Sequence, residues 1–133
     1  MTKLLLYDTS NIFKASIQLE GDFMIAYSLR LWEINDSKNK LVEEIRGSCS
    51  NFSCREINYR MPKLSINKFN YFLELDSNIT TNHAMSKYCI KLAIEQESNR
   101  GDISFIGEQV KCGELGFSGG GKYVNLAIIS NLI

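Results

Sequence analysis

The run Gly116-Phe-Ser-Gly-Gly-Gly-Lys122 has the glycine and lysine spacing of a phosphate-binding loop. In such a loop G-x-x-x-x-G-K is followed by Ser or Thr, whose hydroxyl holds Mg²⁺. Here the next residue is Tyr123. The loop must also open a helix whose first amides face the phosphates. The residues that follow, Tyr123-Val-Asn-Leu-Ala-Ile-Ile129, read instead as strand. Nucleotide binding is therefore excluded. The glycines fit a hairpin loop between strands near Cys112 and Tyr123, where residues free to take positive φ are useful.

Other candidate chemistry is sparse. His83 is the single histidine and falls in a polar stretch. No nucleophile-elbow pattern accompanies it, so a triad has nothing to fix its geometry. Glu43 and Glu44 are adjacent, and neighbouring strand residues point to opposite faces, so they cannot converge on a glycosidic bond. Glu95 and Glu97 share a parity and fit a solvated strand end. Cys49 and Cys54 have C-x₄-C spacing, wider than a zinc knuckle, with Cys89, Cys112 and His83 scattered beyond. Four free thiols are expected in a reducing cytosol, with a Cys49–Cys54 disulfide or a zinc site as the less favoured readings.

Fifteen basic residues oppose fifteen acidic ones, so the balance offers no excess to displace counterions from nucleic acid. The opening Met1-Thr-Lys-Leu-Leu-Leu-Tyr-Asp8 is too short in apolar residues for a signal peptide, and no stretch reaches the ~20 apolar residues of a membrane helix. The expectation is a cytoplasmic protein with no membrane, nucleic-acid, metal or cofactor partner. The sequence carries no sign of its oligomeric state.

At 133 residues the chain is one domain by size. Period-two alternation dominates it. Phe13, Ala15, Ile17 and Leu19 mark one inward face, and Phe23, Ile25, Tyr27, Leu29 and Leu31 the next. The intervening Glu20-Gly-Asp22 predicts a hairpin. A polar turn over 35–40 leads to a short returning strand at 41–46, ended by Gly47. Residues 47–54 read as loop, and 55–60 as strand. Residues 69–75 and 88–94 alternate cleanly and are expected to pair, joined by a long polar loop. Short strands follow at 103–106 and 108–112, and a last one at 122–129. The fold class is all-β: a single-domain antiparallel β-sandwich or barrel of about eight strands over 1–133, with at most one or two short helices.

Trp32 is out of phase with Leu29 and Leu31, which puts it on the opposite face with Arg30 and Ile34. Trp and Arg are enriched at binding hot spots, while a second sheet or a loop covering that face would make Trp32 core instead. Arg30 and Trp32, with Asn78, Thr81 and His83 from the long loop, are the candidate partner-binding residues. These residues fit a non-enzymatic protein-binding domain, a small bacterial inhibitor or toxin-neutralising immunity protein. The alternative is a β-sandwich that holds a carbohydrate or other small molecule.

Overall fold

The computed structural model describes residues 12–36, 38–50, 55–64, 69–81, 85–98, 100–116 and 121–130. Every regular element among them is a strand: β1 (Ile12–Gly21), β2 (Met24–Asn35), β3 (Lys38–Ser50), β4 (Glu56–Arg60), β5 (Asn70–Thr80), β6 (Met85–Glu97), β7 (Ile103–Gly116) and β8 (Lys122–Ser130). They form two four-stranded antiparallel sheets. Sheet I has the order β4-β1-β6-β7 and sheet II the order β3-β2-β5-β8. The architecture is a sandwich, not a closed barrel.

The alternation read from the sequence is the alternation of burial. Ile17, Leu92 and Ile90 line the inner face of sheet I, while Leu29, Leu73, Leu75 and Val124 line that of sheet II. Both sheets need covering because each has one apolar face, and each covers the other. Side chains also bridge the two open corners. Gln109 on β7 accepts a hydrogen bond from the backbone N–H of Ala127 on β8 (2.7 Å), and the Tyr59 hydroxyl on β4 donates to Glu43 on β3.

Two tyrosine–glycine pairs recur, one in each sheet. Tyr27 lies directly across from Gly47, and Tyr88 across from Gly113. A Cβ on Gly113 would stand 2.8 Å from the Tyr88 hydroxyl oxygen, and one on Gly47 would stand 2.5 Å from that of Tyr27. Each ring folds over the bare backbone opposite it. Gly47 therefore does not end β3; it lies inside it, and β3 runs on to Ser50.

Connectivity differs from the expected hairpins. β1 and β2 lie in different sheets, and so do β5 and β6, and β7 and β8. A strand that faces a partner across a sandwich shows the same period-two pattern as one that pairs beside it, so alternation cannot separate the two. Gly21 turns the first crossing with φ 128°, and Phe23 plugs it, 2% exposed. The expected loop at 76–80 is strand because its polar residues suit that place. Ser77 is buried and its hydroxyl donates to the carbonyl of Val124 (2.8 Å), while Ile79 fills the core. The segments 103–106 and 108–112 are one strand with an irregularity in register near Phe105 and Gly107.

The thiols also differ. Cys89 and Cys112 are paired in a disulfide, with Cα atoms 4.1 Å apart, and Cys49 is disulfide-bonded as well. Residues 23 apart in sequence meet because the β6–β7 register sets them directly opposite. This overturns the expectation of four free thiols and removes Cys89 and Cys112 as zinc ligands. Cys54 lies outside the described residues.

Candidate functional site

The outer face of sheet II carries the densest set of polar and aromatic side chains. Strand parity places them there. Arg30 and Trp32 on β2 alternate with the buried Leu29 and Leu31. Phe72, Glu74 and Asp76 on β5 alternate with Tyr71, Leu73 and Leu75. In register, Arg30 lies between Glu44 on β3 and Glu74 on β5, and Trp32 between Leu41 and Phe72.

Arg30 is the hub. Its Nε donates to Glu44 Oε2 (2.6 Å), and its Nη1 to Glu74 Oε1 (3.4 Å) and Asp76 Oδ2 (3.2 Å). Glu74 Oε1 also accepts the Trp32 indole N–H (3.2 Å), and Glu74 Oε2 accepts from the Asn125 amide on β8 (3.2 Å). Arg46 closes the other side by donating to Glu44 Oε1 (3.1 Å). The charges hold one another's protonation states. The hydrogen bond from Arg30 keeps the Glu44 carboxyl below its ordinary range, against a smaller opposing effect of burial. The neighbouring Tyr123 hydroxyl does the same for Asp76, and Asp76 in turn raises the Tyr123 phenol. Glu44, with Asp76 and Glu74, raises the Arg30 guanidinium.

Beside this network stands an apolar cluster. The Trp32 and Phe72 rings stack with centroids 5.9 Å apart and planes 13° apart. Leu41 and Val42 on the edge strand β3 are exposed next to them. Trp32 is thus fixed twice, by its stack and by its N–H, while remaining outside the buried core.

Of the residues singled out by sequence, Arg30 and Trp32 come together here. Asn78 is exposed on the same face, nearer the opposite end of β5. Thr81 does not join them. Its hydroxyl donates to the carbonyl of Asp22 (3.0 Å) and lies 3.1 Å from Ser86 Oγ, tying the β1–β2 crossing to the β5–β6 crossing. His83 lies outside the described residues, as does the middle of the glycine-rich run. Lys122 begins a strand, and its ammonium sits over the Tyr88 ring, 5.3 Å from the centroid. Glu43 and Glu44 diverge as expected, one to Tyr59 and the other to Arg30.

Sequence reading missed Glu44, Phe72, Glu74, Asp76 and Asn125 as members of this face. Phe72 and Glu74 already showed the outward parity. Which strand lies beside β2 was the missing information. Among the described residues no group of three or more His, Cys, Asp or Glu could hold a metal ion. No helix among them is long and apolar enough to cross a membrane. With fold and site in view, comparison finds no protein family, curated protein or solved structure that matches the chain.

Proposed function

We propose that the protein is a non-enzymatic binding domain that docks another protein on the outer face of sheet II. The observation that carries this reading is Trp32, locked in place by Phe72 and Glu74 yet left outside the core. A side chain already held in one rotamer loses little entropy on binding. A large aromatic so held beside an arginine is the usual make-up of a hot spot. The ionic network around Arg30 supports the same reading, because the guanidinium already holds Glu44, Glu74 and Asp76 and less of its hydration is lost when a partner covers it. A small inhibitor or toxin-neutralising immunity protein from a bacterium is the specific form we favour.

The carbohydrate-binding alternative has less support. A sugar needs a flat ring face, and here Trp32 and Phe72 each turn one face to the other. The Cys89–Cys112 disulfide and the disulfide-bonded Cys49 favour an oxidising compartment over the cytosol.

The test is capture from the native host with the wild-type chain and with Trp32→Ala. The substitution should weaken the captured partner by at least ~1–2 kcal/mol while leaving the denaturant midpoint nearly unchanged. Equal capture by both proteins would overturn the assignment of this face. A glycan array that lights up with wild type and goes dark with Trp32→Ala would favour the alternative.

A further inference from the structure

The other sheet carries a feature unrelated to that face. Cys89 and Cys112 bridge β6 to the edge strand β7 on the outer side of sheet I. Cys112 is exposed and Cys89 half-buried. Cys89 also forms part of the wall of a depression of about 450 Å³, with Lys91, Val110, Arg55 and Gln18. Cys49 is also half-buried and lines a depression of its own, but it packs against the hydrophobic core.

The bridge adds a covalent tie to the ladder that joins β7 to β6. Among its described side chains only Leu115 is buried, with Ile106 packed partly against the core. Three other large apolar residues point to solvent: Ile103 is 65% exposed, Phe105 62% and Val110 52%. What holds the strand is the ladder to β6, an ion pair between Lys91 and Glu108 (3.0 Å), the Gln109 contact to β8 and the disulfide. Removing the disulfide leaves the far half of β7 held to β6 by its ladder, by Leu115 and by the Tyr88 ring over Gly113, with no covalent tie.

The geometry points to a thiol-exchange site at Cys89–Cys112 that latches the edge strand β7 to sheet I. The thiolate of a small thiol or a protein dithiol attacks Sγ of the exposed residue Cys112. The Cys89–Cys112 bond breaks and the electron pair leaves on Cys89 Sγ, which takes up a proton. A second thiol then attacks the mixed disulfide, releasing Cys112 as a thiol and the reductant as its own disulfide. The protein gains two electrons and two protons, and two thiols become one disulfide. Exposed disulfides are the ones that exchange in folded proteins.

The experiment uses the intact oxidised protein in glutathione buffers of stepped ratio. Alkylation and peptide mass mapping follow each disulfide, and hydrogen exchange follows β7. Cys89–Cys112 should open at least tenfold faster than the disulfide of Cys49, without denaturant. Amides of residues 108–114 should then exchange at least tenfold faster while those of β2 and β5 do not change. A Cys89→Ser/Cys112→Ser variant should show the same β7 exchange without any reductant. If that variant does not fold, reduced wild type alone gives the reading. Opening only under denaturant, at the rate of the Cys49 bond, would overturn the exchange site. Opening with no change in β7 exchange would overturn the latch.

Discussion

Gly113→Ala should destabilise the protein, and the reason lies in a single cross-strand ring. The new methyl would meet the Tyr88 hydroxyl oxygen at 2.8 Å, Cε1 at 2.9 Å and Cζ at 3.0 Å. Real Cβ atoms do not come so close, so something must move. Tyr88 is 1% exposed, packs edge-on against Phe23 at 6.4 Å and supports Lys122 above it. It has no free direction to swing. Overpacking of this kind costs ~1–3 kcal/mol. Replacing glycine also restricts the unfolded chain, which returns ~0.4–1 kcal/mol. The net loss should lie between about 0 and 2.6 kcal/mol, centred on ~1.3 kcal/mol. Gly107→Ala is the internal control. It lies on the same strand, and its nearest neighbour would be a methyl of Ile128 at 3.6 Å, an ordinary contact. That variant should match wild type or exceed it slightly. The assay is urea unfolding of both variants under non-reducing conditions, with the slope of the transition checked for constancy. The cost of Gly113→Ala should shrink in a Tyr88→Leu background, since the two residues are in contact. Equal stability of Gly113→Ala and Gly107→Ala, or a cost unchanged by removing the ring, would refute the reasoning.

Leu73→Ala and Leu92→Ala, at the centres of the two inner faces and 1% and 0% exposed, should each lower stability by ~2–5 kcal/mol; an unmoved denaturant midpoint would contradict their place in the core. Acid should weaken the fold: Glu44 and Asp76 have carboxyl pKa values held below their unfolded values by Arg30 and Tyr123, so the stability they add is present above the ordinary carboxylate range and is lost as pH falls through their folded values. Urea midpoints measured from pH 6 down to pH 3 should therefore fall, and Glu44→Gln should flatten the curve. ATP or GTP with Mg²⁺ should leave the melting temperature unchanged, because Lys122 opens a strand and lies over Tyr88; a Mg²⁺-dependent rise abolished by Lys122→Ala would show otherwise.

How far the sequence spoke is visible strand by strand. The inward faces at Phe13–Leu19, Tyr71–Leu75 and Tyr88–Ile94 were legible because burial of one face imposes period two on the residues themselves. Trp32's outward parity was legible for the same reason. Pairing was not. Whether Leu19 leads to a neighbour beside it or across the core depends on which contacts win globally, and the residues of Gly21–Phe23 suit either turn. Strand length failed where polar residues face inward. Ser77 looked like loop until the carbonyl of Val124 supplied its partner. The disulfide failed likewise, because Cys89 and Cys112 are neighbours only through the β6–β7 register.

The path of the chain between the sheets has a kinetic consequence. Of the seven connections between the described strands, five cross the sandwich, and β2–β3 and β6–β7 return beside themselves. Sheet II is gathered from residues 24–50, 70–80 and 122–130, and sheet I from the segments between and before them. No early stretch can therefore complete either sheet, and loop closure must be met before most contacts form. Folding should take milliseconds to seconds rather than microseconds. On the ribosome the apolar face of β5 stays uncovered on one side until Val124, Leu126 and Ile128 of β8 emerge. The nascent chain is thus exposed to misassociation until β8 is made.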